Sequence, residues 1–224
     1  MNAPSNRAQA PAPRDNPPPH TPSSAGPPAA RPDRSERTRA ALIEAARQVF
    51  AEVGYFNAEI AQITRAADRA TGTFYGHFDS KQQLLTAMVD EFTRDLIASG
   101  LDRPEHPPEA APMVLRTLWT THHRHSATFR ALVEAASTLP EMAATYAGLR
   151  QNARRDFESM LRSAPNWRAA ADEDIVLTAA ALEMMVSASL YEWHALNQRP
   201  DGYSEERGFE TVLAILTGTL ARPR

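Results

Sequence analysis

The chain has 224 residues, no cysteine and a formal charge of −3 at neutral pH. This length allows one domain, or two small ones, with a buried core. The absence of cysteine excludes disulfides, thiolate metal sites and a cysteine nucleophile, and a reducing cytoplasm is the simplest location. The first twenty residues lack the apolar stretch of a secretory signal, so no signal is predicted.

Residues 1–33 contain ten of the 18 prolines. They have too few large apolar side chains to offset the entropy cost of ordering, so a disordered tail is predicted. Apolar residues at helical spacing begin near Ser35 and continue to Leu220, with no alternating strand pattern and no internal repeat. The sequence therefore predicts an all-α protein of about nine helices.

Capping and turn residues divide the first part of the chain into four helices. Gly54 is expected to stop the first helix, and Asn57 to cap the second. Asp68 tolerates a left-handed turn conformation. Ser80 and Gln83 predict a capping box at the start of the fourth helix. The four predicted helices cover about residues 35–53, 57–67, 70–77 and 80–99.

Five further helices follow, separated by prolines and polar turns. Pro112 and Pro140 suit the first turns of the fifth and seventh helices. The eighth contains an apolar segment, 175–193, that is nearly long enough to span a membrane. Glu183 interrupts that segment at its centre, which favours a helix buried in a bundle over a membrane span. These predicted helices cover about residues 112–125, 126–137, 140–163, 172–196 and 204–220.

An aromatic cluster lies in the third predicted helix. Phe74 and Phe78 are four residues apart, so they share one helix face, while Tyr75 and His77 flank that face and point outward. Three helices, of which the second and third are short and joined by a tight turn, are typical of a helix-turn-helix unit.

Residues 37–85 resemble the amino-terminal domain of the tetracycline-repressor (TetR) family. The resemblance implies that the third helix enters the DNA major groove and that the start of the fourth meets phosphates. It also implies a DNA-binding domain at residues 34–81 and a ligand-binding and dimerisation domain at residues 82–224. The matching positions are Ala45, Ala46, Phe50, Gly54, Tyr55, Ile60, Ile63, Ala67, Gly72, Thr73, Phe74, Tyr75, His77, Phe78, Ser80, Lys81 and Leu84.

The resemblance gives specific side chains a role at DNA. Tyr75 and His77 would hydrogen-bond phosphates, and Gly72 would let the backbone come close to DNA. Lys81 would add charge beside the amide donors at the start of the fourth helix. Arg31, Arg34, Arg37 and Arg39 could form a basic arm along the DNA backbone or minor groove, and the alternative interpretation is solvated charge at the edge of a disordered tail. The predicted DNA contacts are Arg37, Arg39, Asn57, Arg69, Thr71, Gly72, Thr73, Tyr75, His77 and Lys81.

Several residues depart from the family pattern. Asp68 and Arg69 stand where the family usually has glycine and a small apolar residue, and Ala58 and Glu59 replace a threonine or serine pair. Glu59 would repel a nearby phosphate, and residues 34–81 carry a net charge of only +1. Arg69 could compensate by a guanine contact. A second hypothesis therefore stays open, namely a small-molecule sensor with weak or lost operator recognition.

Apolar stripes in the carboxy-terminal half are usually plain core, but the resemblance makes the centre of this bundle an effector pocket. Its Met and aromatic side chains suit an apolar or amphipathic ligand, with His122 and Tyr146 as polar anchors. The predicted pocket residues are Leu115, Trp119, His122, Phe129, Met142, Tyr146, Leu149 and Met185. The predicted dimer interface comprises Ala188, Tyr191, Val212, Ile215 and Leu216, for which burial inside the monomer is the competing explanation.

The run HHRH, residues 122–125, invites a metal interpretation because His122 and His125 share a helix face. No carboxylate or cysteine stands at a convincing interval from them, so neither a metal nor a cofactor is predicted, and basic groups at a helix carboxy terminus explain the run. No catalytic triad spacing or phosphate loop occurs, so an enzyme is not predicted. The predicted partners are a double-stranded DNA operator, a small-molecule effector and a second copy of the chain, and no membrane.

Overall fold

The computed structural model describes Met1 and residues 33–101 and 106–222. Most of the predicted disordered tail, including Arg31, lies outside the described residues. The described part contains nine α-helices and no strand, which confirms the all-α prediction. The helices are α1 (Arg34–Asn57), α2 (Ile60–Ala66), α3 (Thr71–Tyr75), α4 (Lys81–Leu96), α5 (Ala111–Arg124), α6 (Ser126–Ala136), α7 (Pro140–Ser163), α8 (Asp172–Leu190) and α9 (Glu205–Ala221).

The junction between α1 and α2 differs from the sequence prediction. Gly54 has a φ of 78°, so it ends the regular part of α1 as predicted. Asn57 does not cap α2, because its Nδ2 donates to the carbonyl oxygen of Val53 at 3.0 Å. Glu59 is the capping residue instead, and its backbone N–H donates to Gln62 Oε1 at 2.8 Å. Helix α2 is therefore capped two residues later in the chain than predicted.

The turn between α2 and α3 follows the prediction, and Asp68 has a φ of 53°. The third helix is shorter than predicted because the chain leaves it at Gly76. Ser80 caps α4 by accepting from the backbone N–H of Gln83 at 3.1 Å. The reciprocal bond of the capping box is shifted by one residue, since Gln83 Oε1 accepts from the backbone N–H of Asp79 at 2.6 Å and not from that of Ser80.

Two apolar clusters hold the molecule together. The first joins α1, α2, α3 and the amino-terminal half of α4 to α6, and it includes Phe74 and Phe78, whose rings lie 5.7 Å apart. The second lies among α5, α7, α8 and α9, around Trp119 and Met160. Because α6 belongs to the first cluster, the helix-turn-helix unit packs directly on the larger bundle.

Among the described residues, one helix is long and apolar enough to cross a membrane, namely Asp172–Ala195, which is α8 with its π-helical extension. Core helices of soluble bundles meet the same criterion. Glu183 at its centre is fully buried and accepts two hydrogen bonds from Arg150 on α7. This paired carboxylate between two packed helices favours the bundle interpretation.

Candidate nucleic-acid interface and ligand pocket

The outer face of α3 is open. Phe74 anchors the helix in the first cluster, and Tyr75, on the next position, is 57% exposed. Thr71 and Gly72 are also exposed, and Thr73 and His77 are half-buried. A Cβ built at Gly72 would meet no atom of the described chain within 4 Å. The sequence-predicted contacts of this helix therefore lie on a surface that another molecule can approach.

The predicted basic side chains are spread around this helix. Arg39 stacks over the ring of Phe78, with its guanidinium carbon 5.2 Å from the ring centroid, so it lies beside the α3 anchor. Arg69 is exposed and donates to the carbonyl oxygen of Asp68 at 2.7 Å. Arg37 is exposed in the first turn of α1, and its Nε donates to the carbonyl oxygen of Asp33 at 3.4 Å. Arg69 therefore lies at the start of the recognition segment, which is α3 with the residues on either side of it. Arg39 lies at its end, beside Phe78.

Lys81 is the predicted phosphate contact that this geometry does not support. Its ammonium group donates to the carbonyl oxygens of Tyr55 at 2.6 Å, Phe56 at 3.3 Å and Ala58 at 2.8 Å. It also lies 4.6 Å from the Tyr55 ring centroid. Partial burial lowers its pKa. All three N–H donors are engaged, so Lys81 ties the start of α4 to the link between α1 and α2.

A cavity of about 510 Å³ lies inside the bundle, between α4, α5, α6, α7 and α8. His122, Phe129, Tyr146 and Leu149 line it, as the sequence predicts. The α4 wall and most of the polar groups on α7 are not predicted from the sequence. Residues missed in this way include Phe92, Thr93, Leu96, Ile97, Arg150, Asn152, Arg155 and Asp156.

Four predicted pocket residues do not line the cavity. Leu115 and Trp119 are buried in the second cluster, against which Met185 packs, and Met142 is buried in the first. The indole N–H of Trp119 donates to Glu205 Oε1 at 2.8 Å, which turns it away from the cavity. These residues share apolar stripes with true lining residues. Helical spacing identifies such a stripe but not which part of it faces a void.

His122 supplies a defined polar group inside this apolar cavity. Its Nδ1 donates to the carbonyl oxygen of Leu118 at 2.9 Å, which leaves Nε2 as an acceptor. The rings of Phe92 and Phe129 meet it edge-on, each with its centroid at 4.9 Å. Burial lowers the pKa of His122 to about 4, so the imidazole is neutral at physiological pH.

We expect this histidine to make the protein acid-sensitive. Its pKa is about 4 in the folded protein and 6.5 as a free group, so the unfolded chain binds more protons between these values. Stability is therefore lost as the pH falls below about 6.5, by about 2 kcal/mol between pH 7 and pH 5. In His122→Gln, the free energy of unfolding should fall by about 2 kcal/mol less between pH 7 and pH 5 than in the parent, as measured by urea unfolding at both pH values. An equal pH dependence of stability in the variant and the parent would contradict the attribution of this acid sensitivity to His122.

Most of the other polar groups of the cavity belong to α7. Burial raises the pKa of Tyr146, whose hydroxyl therefore stays protonated, and it also raises the pKa of Asp156. Arg150 is held by Glu183 through two hydrogen bonds, of 2.8 and 2.7 Å. The cavity thus combines an apolar interior with a few polar groups, which is typical of a small-molecule site.

The HHRH run does not place its histidines together. His122 bonds Leu118 in the cavity wall, whereas His125 Nε2 lies 2.8 Å from Asp95 Oδ2 on α4. The run does end α5, as expected for basic groups at a helix carboxy terminus.

The α8 and α9 surfaces correct the predicted dimer interface. Val212 and Leu216 are buried in the second cluster, so the competing explanation of monomer burial holds for them. Tyr191 is half-buried, with its ring 6.1 Å from that of Phe129. Ala188 and Ile215 are exposed, and with them lie apolar residues that the sequence analysis missed. The exposed stripe on α8 consists of Leu177, Ala181, Met184 and Ala188.

Two short helices joined by a tight turn, the second of them exposed, are typical of a helix-turn-helix unit, and here this unit packs on a helical bundle that contains a cavity. The sequence comparisons agree. Residues 42–88 match the family described as bacterial regulatory proteins, tetR family. This part of the chain, about a fifth of its length, is therefore similar to the TetR family of bacterial regulatory proteins.

Curated relatives match a part of this chain. The transcriptional repressor DhaR of Mycobacterium sp. strain GP1 is 40% identical over 70 residues, which are 30% of this chain and 35% of DhaR. The A-factor receptor protein of Streptomyces griseus is 38% identical over 60 residues, or 27% of this chain and 22% of the receptor. The chain thus spans about a third or less of these relatives.

The whole fold has structural counterparts. A TetR-like transcriptional regulator from Rhodococcus sp. RHA1 superposes with a TM-score of 0.65 and 17% identity. The match covers 86% of this chain and all of that one. At this identity the likeness supports the fold alone.

Proposed function

We propose that this protein is a homodimeric, ligand-responsive DNA-binding regulator of the cytoplasm, and that it acts as a repressor. The observation that supports this proposal is that two helices, α4 and α6, connect the two sites. Both pack in the first cluster, which contains Phe74 of α3, and both line the cavity. We assign residues 34–81 to DNA binding and residues 82–224 to ligand binding and dimerisation. The name of DhaR, a transcriptional repressor, supports the sign of regulation, and that of the A-factor receptor supports a ligand.

Helix α6 provides one route between the two sites. Phe129 lines the cavity, and Glu134, five residues further along, accepts from the backbone N–H of Tyr55 at 2.7 Å. Arg130 holds that carboxylate at 2.8 Å and donates to the carbonyl oxygen of Ala51 at 3.3 Å. A ligand that displaces Phe129 would therefore move the end of α1.

Helix α4 provides a second route. Phe92 and Leu96 line the cavity in its carboxy-terminal half. Lys81 at its amino terminus is fixed to the α1–α2 link by three carbonyl oxygens. A shift of α4 would thus carry the helix-turn-helix unit with it. The ligand changes DNA affinity only as far as it prefers one arrangement over the other.

The cavity chemistry defines the class of effector. Many of the lining side chains are aromatic or aliphatic, and the polar groups among them include the His122 acceptor and the Tyr146 hydroxyl. An apolar or amphipathic molecule that carries a hydroxyl or amide donor would fill the void and bond His122 Nε2. Because Arg150 is occupied by Glu183, a ligand carboxylate has less to gain here than a neutral donor.

Dimerisation would bury the exposed stripe on α8 and place two α3 helices at successive major-groove segments, so the operator should be near-palindromic. Leu177 is 62% exposed and Met184 is 53% exposed, which suits a covered interface better than a free surface.

Met184→Glu should convert the dimer to a monomer at micromolar concentration, because two carboxylates would be buried across the twofold axis. Sedimentation velocity measures this directly. Met113 is 47% exposed on α5, so Met113→Glu is the matched control and should remain dimeric. Equal association of both variants would exclude this α8 face as the interface.

Selection of DNA from a random library by the full-length protein, at fixed moderate salt, tests the regulator. An enriched inverted repeat is expected. Failure to enrich any motif, from protein that is folded and dimeric, would favour the second hypothesis of a sensor with weak operator recognition. Glu59 and Asp68 would then be the first residues to replace, since both add negative charge beside the recognition segment.

A further inference from the structure

Outside the cavity, three side chains of types that bind metals converge where α5 and α8 end and α9 begins. His123 comes from the last turn of α5, His194 from the π-helical extension of α8, and Glu205 from the first residue of α9. One ligand atom from each lies within 4.8 Å of the others. The three residues are far apart in sequence, so only the fold brings them together.

The distances suit a single ion. His194 Nε2 lies 2.9 Å from Glu205 Oε1, and His123 Nδ1 lies 3.8 Å from the same oxygen. The two imidazole rings are 5.2 Å apart and nearly perpendicular, at 88°. Ligands of a tetrahedral zinc ion are about 3.3 Å from one another. His123 is largely exposed, so its side chain is free to make the small adjustment required.

The buried histidine of this cluster, His194, contacts the Trp119 ring but lacks an aligned hydrogen bond to any described residue. The side chain of His194 is fully buried, yet neither ring nitrogen has a well-directed hydrogen bond within the described part of the chain. The contact with Glu205 is short, but it is an ion-pair distance and not an aligned N–H bond. Buried polar nitrogens are normally satisfied. A metal ion would satisfy Nε2, the atom that faces Glu205.

The carboxylate is already held in place. Trp119 Nε1 donates to Glu205 Oε1 at 2.8 Å, and the Tyr203 hydroxyl donates to Oε2 at 3.0 Å. Such outer hydrogen bonds fix the orientation of ligands in metal sites.

We propose that His123, His194 and Glu205 form a binding site for a divalent transition-metal ion of the zinc type, with a fourth position open to water. Two imidazoles and one carboxylate are ligands that zinc, cobalt(II) and nickel(II) accept, whereas magnesium prefers oxygen ligands alone. The ion would join the ends of α5 and α8 to the start of α9. The site does not depend on the proposed DNA binding, and it is separate from the effector cavity.

The test uses full-length protein treated with a chelator and then titrated with Zn²⁺ against a chromophoric competitor. One ion per chain with a sub-micromolar Kd is expected, and Co²⁺ should give the intense visible bands of four-coordinate geometry. Mg²⁺ should not compete. His123→Ala and Glu205→Gln should each weaken Zn²⁺ binding at least about 100-fold, the upper end of the cost of losing an outer-shell partner.

Glu206→Gln is the matched control, because Glu206 is the next residue and pairs with Arg116 outside the cluster. It should change the Kd less than about twofold, a change well below one tenfold step in affinity. Thermal unfolding without metal checks that all variants are folded, and Zn²⁺ should raise the midpoint of the parent but not of Glu205→Gln. Absence of tight binding would overturn the proposal, as would tight binding that neither His123→Ala nor Glu205→Gln weakens.

Discussion

Gly72→Glu should reduce DNA affinity by about 100-fold or more while leaving the fold intact. A Cβ built at Gly72 meets no atom of the described chain within 4 Å, so the substitution should change the outer surface of α3 without disturbing its packing. A carboxylate there would face the phosphates that we propose α3 approaches. In a dimer the substitution is present twice, and a penalty of about 1.4 kcal/mol at each half-site gives the expected loss.

The measurement is fluorescence anisotropy with the selected operator at two salt concentrations. The deficit should shrink at high salt, because screening weakens repulsion between exposed charges. Gly148→Glu is the matched control. Gly148 is also a helical glycine with open space around a built Cβ, and it lies on α7, far in sequence from α3. Equal losses in both variants would show that net charge, and not the α3 surface, determines the affinity.

Gly72→Ala separates repulsion from close approach. It adds one methyl group and no charge, and alanine is more favourable than glycine in a helix. If the backbone of α3 comes within contact distance of DNA, affinity should fall about tenfold, or about 1.4 kcal/mol. Unchanged affinity would place Gly72 away from the DNA contact and leave only the electrostatic part of the interpretation.

The helix-turn-helix unit could be predicted from sequence because its signals are local. Phe74 and Phe78 are one helical turn apart, Asp68 is a residue that tolerates a positive φ, and Ser80 is a cap within reach of the Gln83 amide. The error at Asn57 is also local. Asn57 and Glu59 both lie near the start of α2. Which of them caps the helix depends on how many residues the link after Gly54 requires.

The sites of the larger domain depend on contacts between distant residues. Leu115 and Leu149 are both apolar residues on predicted helix stripes, yet only Leu149 lines the cavity. The binding partners of Lys81 are three backbone carbonyls, which no side-chain pattern reveals. His123 and Glu205 are separated by most of the carboxy-terminal domain. Such convergence becomes visible only after the helices are packed.

Arg150→Met should destabilise the protein by about 3 kcal/mol at neutral pH, because it leaves a buried carboxylate without its main partner. Glu183 is fully buried and receives two hydrogen bonds from Arg150 and one of 2.9 Å from Ser187. Burial alone would raise the pKa of Glu183, but these bonds lower it below its ordinary value. Urea unfolding measures the loss.

The pH dependence of this loss identifies the carboxylate as its cause. In the parent, the lowered pKa means that Glu183 stabilises the fold above about pH 4.5 and loses that effect on acidification. Without Arg150, burial is opposed only by the Ser187 hydrogen bond and by Arg154, 3.8 Å away, so the pKa of Glu183 should rise relative to the parent. Protonation then relieves part of the penalty, and the stability difference from the parent should narrow as the pH falls. Arg150→Met/Glu183→Gln should recover about 2 kcal/mol of the loss at neutral pH, since the amide carries no charge to desolvate. A deficit that stays constant with pH, and that Glu183→Gln does not relieve, would mean that Arg150 acts through the contact of its guanidinium group with the Tyr146 ring, whose centroid lies 5.8 Å away, and not through the ion pair.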